Sequence, residues 1–140
     1  MTAPADDREG FAAFLLRMRS RGLDNKALAS AIEATPRRAF IPDQWQEHAW
    51  SDGMLPIECG EAIESIDLQA QAIASLAIEA GHRVLEVGCG SGFTAAVMAH
   101  LGGRVTTLAR YRTLANQAKQ RFEAQGIGTA LVHHADGMNG

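Results

Sequence analysis

No stretch of this chain reaches the run of about 18 apolar residues that a membrane-crossing helix needs, so no span is predicted. Cysteine is scarce. Cys59 and Cys89 are the two present, too few for a disulfide framework. The opening MTAPADDREG is acidic and polar and has none of the basic-then-apolar pattern of a secretory signal, so both cysteines read as free thiols in a reducing, cytoplasmic setting. Positive charge is also in deficit: 13 Lys and Arg against 16 Asp and Glu give a net charge of -3. That excludes the basic footprint of a nucleic-acid binder or of a protein held on an anionic membrane. His48, His82, His100, His133 and His134 stand at no recognised zinc spacing, so no metal site is expected. Internal repeats and low-complexity tracts are absent.

What remains is an ordinary globular composition, 46% hydrophobic and 21% charged, over 140 residues, the size of one domain. The chain divides near Gly81 into a helical front, residues 1–80, expected to pack on an α/β back, residues 81–140, as one structural unit. In the front, Phe11, Phe14, Leu15 and Met18 recur at helical spacing, and Gly22 is a stop. Asp24 is the expected cap of a second helix presenting Leu28, Ala31 and Ile32. Pro36 and Pro42 interrupt regular structure while Phe40, Ile41, Trp45 and Trp50 need burial. "DGMLPIECGEAIESID" reads as loops or short extended pieces. A third helix is predicted over 67–79, with Asp67 as N-cap and Leu68, Ile73, Leu76 and Ala77 inward.

The back alternates strands and helices. "HRVLEVG", "RVTTLA" and "TALVHH" are apolar strands; "FTAAVMAHL" and "RTLANQAKQRFEAQG" are helices ended by Gly102-Gly103 and Gly126. This alternation implies parallel βαβ units. The fold class is therefore α/β: a Rossmann-like doubly wound parallel sheet, strand order 3-2-1 and incomplete, preceded by a helical region. Val84, Leu85 and Val87 then fall on an unpaired apolar edge. Either a longer protein or another chain covers that edge, and association between copies through it is expected.

The chemistry concentrates at Gly88-Cys89-Gly90-Ser91-Gly92-Phe93, a turn between a strand and a helix. Glycines let ligand atoms approach the backbone, and the helix start offers free N–H groups to an anion. The dinucleotide fingerprint needs its third glycine where Phe93 stands, so the spacing is GxGxG, with Glu86 two residues before it. On residues alone, three readings stay open: an NADP-type site with Arg110 on a 2′-phosphate, a tight turn that binds nothing, or a site for another adenosyl cofactor.

Four segments in order extend this pattern. "ALASAIEATPRRAFIP", "WSDGMLPIECGEAIES", "VLEVGCGSGFTAAVMAHL" and "HHADGMNG" together resemble the protein-L-isoaspartate O-methyltransferase family of S-adenosylmethionine-dependent enzymes. The resemblance runs from about Phe14 to Gly140. It implies S-adenosylmethionine as cofactor and methyl transfer to the carboxylate of an isoaspartyl residue in a damaged protein or peptide. By position it assigns Glu86, Gly88, Cys89, Gly90, Ser91 and Gly92 to the cofactor. It adds Ile63 from the preceding loop, and Asp136 and Gly137 beside the adenine. Asp-Gly is equally a common turn dipeptide.

The chain departs from the family at three places. The family loop Gly-x-Thr-Ile-Ser reads Gly60-Glu61-Ala62-Ile63-Glu64, so the family serine position is Glu64. Two unit charges at roughly 4 Å in an effective dielectric of 20 repel by about 4 kcal/mol, which sets Glu64 against an incoming carboxylate. Ser65 is a substitute hydroxyl one residue on, or else a cap of the third helix; Ile66 stands where the family has proline. Ala109 occupies the place of the acid that holds the ribose, next to a matching Arg110. Finally, the family continues with further strands and helices. Two alternatives follow: a non-catalytic relative serving binding or assembly, and a methyltransferase in which Glu64 takes a cationic acceptor.

Overall fold

The computed structural model describes residues 5–139. Helix α1 (Ala5–Ser20) ends at Gly22, whose φ of +82° reverses the chain so that Leu23 N–H reaches the Met18 carbonyl at 2.9 Å. Phe14 and Met18 are buried, as the helical spacing predicts. Helix α2 (Lys26–Glu33) is capped by Asn25, not by Asp24: the Asn25 side-chain oxygen accepts from Leu28 N–H at 3.0 Å, the N3 position that a cap side chain reaches. Leu28, Ala31 and Ile32 face the core.

After Pro36 the chain runs through two short 3₁₀ turns, Arg37–Phe40 and Asp43–His48. They bury Phe40 and Ile41 and deliver Trp50 against α1, its ring 6.0 Å from Phe11 and 6.1 Å from Phe14. Trp45 remains half-buried. Two-residue strands β1 (Leu55–Pro56) and β2 (Ala62–Ile63) pair antiparallel around a turn at Glu58–Gly60.

Helix α3 spans Ile66–Leu76, shorter than the predicted 67–79. Its cap is Ser65, whose Oγ accepts from Leu68 N–H at 3.2 Å. Asp67 lies inside the first turn with its carboxylate turned into the protein. The inward stripe is Ile66, Ala70 and Ile73; Leu68 and Leu76 are exposed instead, and Ala77 is the left-handed cap. The helix cap lies two residues earlier than expected, and the buried face runs through Ile66, Asp67, Ala70 and Ile73, which leaves Leu68 and Leu76 on the side away from the core.

Strands β3 (Arg83–Val87), β4 (Arg104–Ala109) and β5 (Ala130–His134) form a parallel sheet with β4 in the middle, and the order 3-2-1 holds. Helices α4 (Phe93–His100) and α5 (Arg112–Ala124) cover one face, where Val105, Thr107 and Ala109 are buried. The other face is open. Leu85, 66% exposed, aligns through Thr106 with exposed Leu131, and Val87 is 63% exposed. Val84 departs from expectation: it alternates to the helix side and packs against the core. One apolar cluster includes Phe14, Phe40, Ile73, Phe93, Val105 and Phe122, so residues from the front and the back share a core.

Candidate functional site

A cavity of about 670 Å³ opens where the β2–α3 loop faces the C-terminal ends of β3 and β4. Parallel sheets place their ligand crevices at such strand ends.

One wall is the glycine loop. Gly88 takes a φ of +94° and would aim a Cβ into open space, while Gly90, at +56°, would put one 2.9 Å from Ile63 Cγ2. A side chain at Gly90 would wedge the two walls apart. The N–H groups of Gly88 and Cys89 both donate to the Leu108 carbonyl, at 3.1 and 2.9 Å, pinning the loop to β4. Those of Gly90 and Ser91 have no backbone acceptor among the described residues. Ser91 is 2% exposed, lines the cavity, and its Oγ has no partner. Its carbonyl is held by Arg121 Nη1 at 2.8 Å. Gly92 lies behind the loop, against Ala118 and Phe122, rather than in the cavity lining.

Glu86 alternates away from Leu85 and Val87 toward the helix side, where Thr107 Oγ1 donates to Oε1 at 2.7 Å and Thr94 Oγ1 donates to Oε2. Burial pushes its carboxyl above the usual range; the two hydroxyls pull it back, and the charge of Glu64 adds to the rise. Burial likewise pushes the Cys89 thiol up to about 11, so it is no thiolate at neutral pH.

The opposite wall carries Glu61, Ala62, Ile63, Glu64 and the cavity-facing residues of α3, among them Leu68, Gln69 and Leu76. Ser65 is not in the lining; its hydroxyl caps α3. Buried Ala109, exposed Arg110 and half-buried Tyr111 close the far end. Arg110 Nη2 donates to the Tyr111 hydroxyl at 2.9 Å and lies over the ring, so its charge is turned to its neighbour. Asp136 and Gly137 fall outside the lining. Asp136 Oδ1 accepts from Met138 N–H at 2.9 Å, a turn interaction, and Gly137 packs on Val87.

The structure thus brings Ile63, Glu64, Glu86, Gly88, Cys89, Gly90 and Ser91 to one cavity and leaves Ser65, Gly92, Asp136 and Gly137 outside its lining. Thr94 and Thr107, which clamp Glu86, escaped the sequence reading. Both stand in regular elements, and only the register Glu86↔Thr107 and the start of α4 bring them to the carboxylate. Among the described residues no helix is long and apolar enough to cross a membrane, and no cluster of metal-ligating side chains occurs.

The family model of protein-L-isoaspartate(D-aspartate) O-methyltransferases matches residues 11–140. The chain belongs to this family. A protein-L-isoaspartate O-methyltransferase of Rhizobium meliloti (strain 1021) is 43% identical over 125 residues, covering 89% of this chain and 61% of that protein. One from Azorhizobium caulinodans is 39% identical over 140 residues, covering all of this chain and 64% of the relative. The chain therefore spans about three fifths of the length of these curated relatives. Among solved structures, a protein-L-isoaspartate O-methyltransferase superposes with a TM-score of 0.80 at 24% identity, over 91% of this chain and 42% of that one. A Plasmodium falciparum protein described as a putative protein-L-isoaspartate O-methyltransferase, in complex with S-adenosyl-L-homocysteine, gives 0.74 at 20% identity, over 88% and 62%. At these identities the superpositions establish the shared Rossmann-like fold.

Proposed function

We propose that this chain forms the cofactor side of a protein-L-isoaspartate O-methyltransferase, with S-adenosylmethionine held between the glycine loop and the β2–α3 loop. One observation carries the reading: Gly90, Ser91 and Glu86 line one cavity with Ile63 of the β2–α3 loop, and the N–H groups of Gly90 and Ser91, at the start of α4, have no backbone acceptor among the described residues. Unpaired N–H groups at a helix start carry partial positive charge and favour an anionic group. The site fits an adenosyl amino acid: donors at the helix start for its carboxylate, and a clamped carboxylate at Glu86 for a cationic or hydroxyl group.

When bound, S-adenosylmethionine supplies a methyl group activated by its sulfonium. The protein's own residues then align and enclose. Ile63, Phe93 and Leu114 line an apolar stretch that excludes water, and Glu86 is fixed in one rotamer by Thr94 and Thr107. An acceptor carboxylate is already a nucleophile, so no general base is required of the site. Ala109 offers no charged hydrogen bond to a ribose, which lowers affinity by one to a few decades against a site with an acid there. A cytoplasmic setting accords with the free Cys59 and Cys89.

The test is transfer of labelled methyl from S-adenosylmethionine to an isoaspartyl peptide by the purified chain, with the aspartyl peptide as control. Label in the isoaspartyl peptide alone is expected. Label in neither, alongside an active longer relative, would refute isoaspartyl methylation by this chain.

A further inference from the structure

Arg37 is the largest fully buried side chain, with 0% of its surface exposed, and it makes no ion pair with a carboxylate among the described residues. Its Nε donates to the Ala49 carbonyl, its guanidinium lies 4.5 Å from the centre of the Phe93 ring, and its Nη1 donates to Gln69 Oε1 at 2.9 Å. Burial pulls the guanidinium down to about 9, which leaves it charged at neutral pH, with Asp67 and Glu64 opposing that fall.

A guanidinium has five donors and no acceptor, so the Gln69 amide can face it only with its oxygen. The flip of this side chain is therefore decided. Gln69 is itself buried and lines the cavity, so the Nε2 end, with two N–H donors, is the end left for whatever enters. Gln69 stands on the wall where Ala62 and Glu64 replace the family's two hydroxyls.

We propose that Gln69 Nε2 binds a carboxylate oxygen of the methyl acceptor, with Arg37 as the positioning residue that fixes the amide flip. The inference rests on the isoaspartyl reading given above. It supplies a neutral donor on the wall that has lost its hydroxyls and explains why a buried cation is spent on an amide rather than an acid.

The test is equilibrium binding of a fluorescein-labelled isoaspartyl peptide to the full chain at saturating S-adenosylhomocysteine, beside calorimetry of S-adenosylhomocysteine alone. Gln69→Leu should weaken peptide binding tenfold to a hundredfold, the range for a hydrogen bond to a charged group, and leave S-adenosylhomocysteine affinity within twofold. Arg37→Met should match it, the double variant should be no worse than either, and Arg37→Lys, again donors only, should recover part of the loss. Peptide binding by Gln69→Leu equal to wild type overturns the proposal. So does a parallel loss of S-adenosylhomocysteine binding, which would mark a structural role. Wild type that binds S-adenosylhomocysteine but no peptide overturns the acceptor side of the proposed function, and this inference with it. Wild type that binds neither overturns the cofactor reading itself.

Discussion

Arg17 grips both oxygens of Asp67: Nε donates to Oδ2 at 2.9 Å and Nη2 to Oδ1 at 2.8 Å, with the carboxylate 1% exposed. The same Nη2 donates to the Trp50 carbonyl at 2.7 Å, so one arginine joins α1, the tryptophan turn and α3. Since α3 forms a wall of the cavity, this bidentate pair fixes the wall's position from behind. Removing one partner of a buried pair strands the other. Asp67→Ala should lower unfolding stability by about 3 kcal/mol in urea denaturation. Arg21, half-exposed and bonded to Asp52 as well, should matter far less on replacement by alanine.

Glu86 makes stability depend on pH in a stated direction. Burial raises its folded carboxyl above the unfolded value, so between those two values the native state binds more protons. Stability contributed by the protonated form is complete below the unfolded value and is lost as pH rises through the folded one. Glu86→Gln should flatten that decline, raise Tm at neutral pH in the absence of cofactor, and weaken S-adenosylhomocysteine binding at least tenfold. Thermal melts at several pH values and calorimetry together check it; an unchanged affinity would remove Glu86 from the site.

Glu64 is the substitution with the sharpest chemical consequence. It lines the cavity with Glu61 and Glu86 and acts electrostatically on both Glu86 and Arg37. Restoring the family residue in Glu64→Ser should tighten isoaspartyl peptide binding tenfold or more by removing a like charge. A weakening, together with methylation of a lysine or arginine peptide by the wild type, would show a cationic acceptor instead.

The open sheet face predicts association between copies. Leu85 and Val87 project from an edge strand that has no neighbour on its outer side among the described residues. At tens of micromolar, light scattering should report a mass above the 15.0 kDa of one chain, and Leu85→Lys with Val87→Lys should return it to that value. A wild-type monomer under those conditions would contradict it.

Much of this was legible in the sequence because it rests on local rules. The strand–glycine–helix alternation gave the sheet order, and GxGxG gave the loop. Ser65 shows where local rules divide: serine and aspartate both cap helices, and the choice of Ser65 over Asp67 follows from a partner 50 residues away, Arg17, that takes the aspartate. Gln69 and Thr107 were invisible for the same reason. Each acquires its role through a contact across the fold, with Arg37 in one case and Glu86 in the other. Asp136-Gly137 shows the converse, a motif whose local turn chemistry accounts for its observed geometry.

The most direct test of the central claim is calorimetric titration of the chain with S-adenosylhomocysteine, beside Gly90→Val, whose side chain would collide with Ile63 across the site. The account predicts saturable one-to-one binding by the wild type and none by a Gly90→Val variant that keeps its circular dichroism spectrum. No saturable heat with the wild type, or equal binding by both proteins, would contradict it.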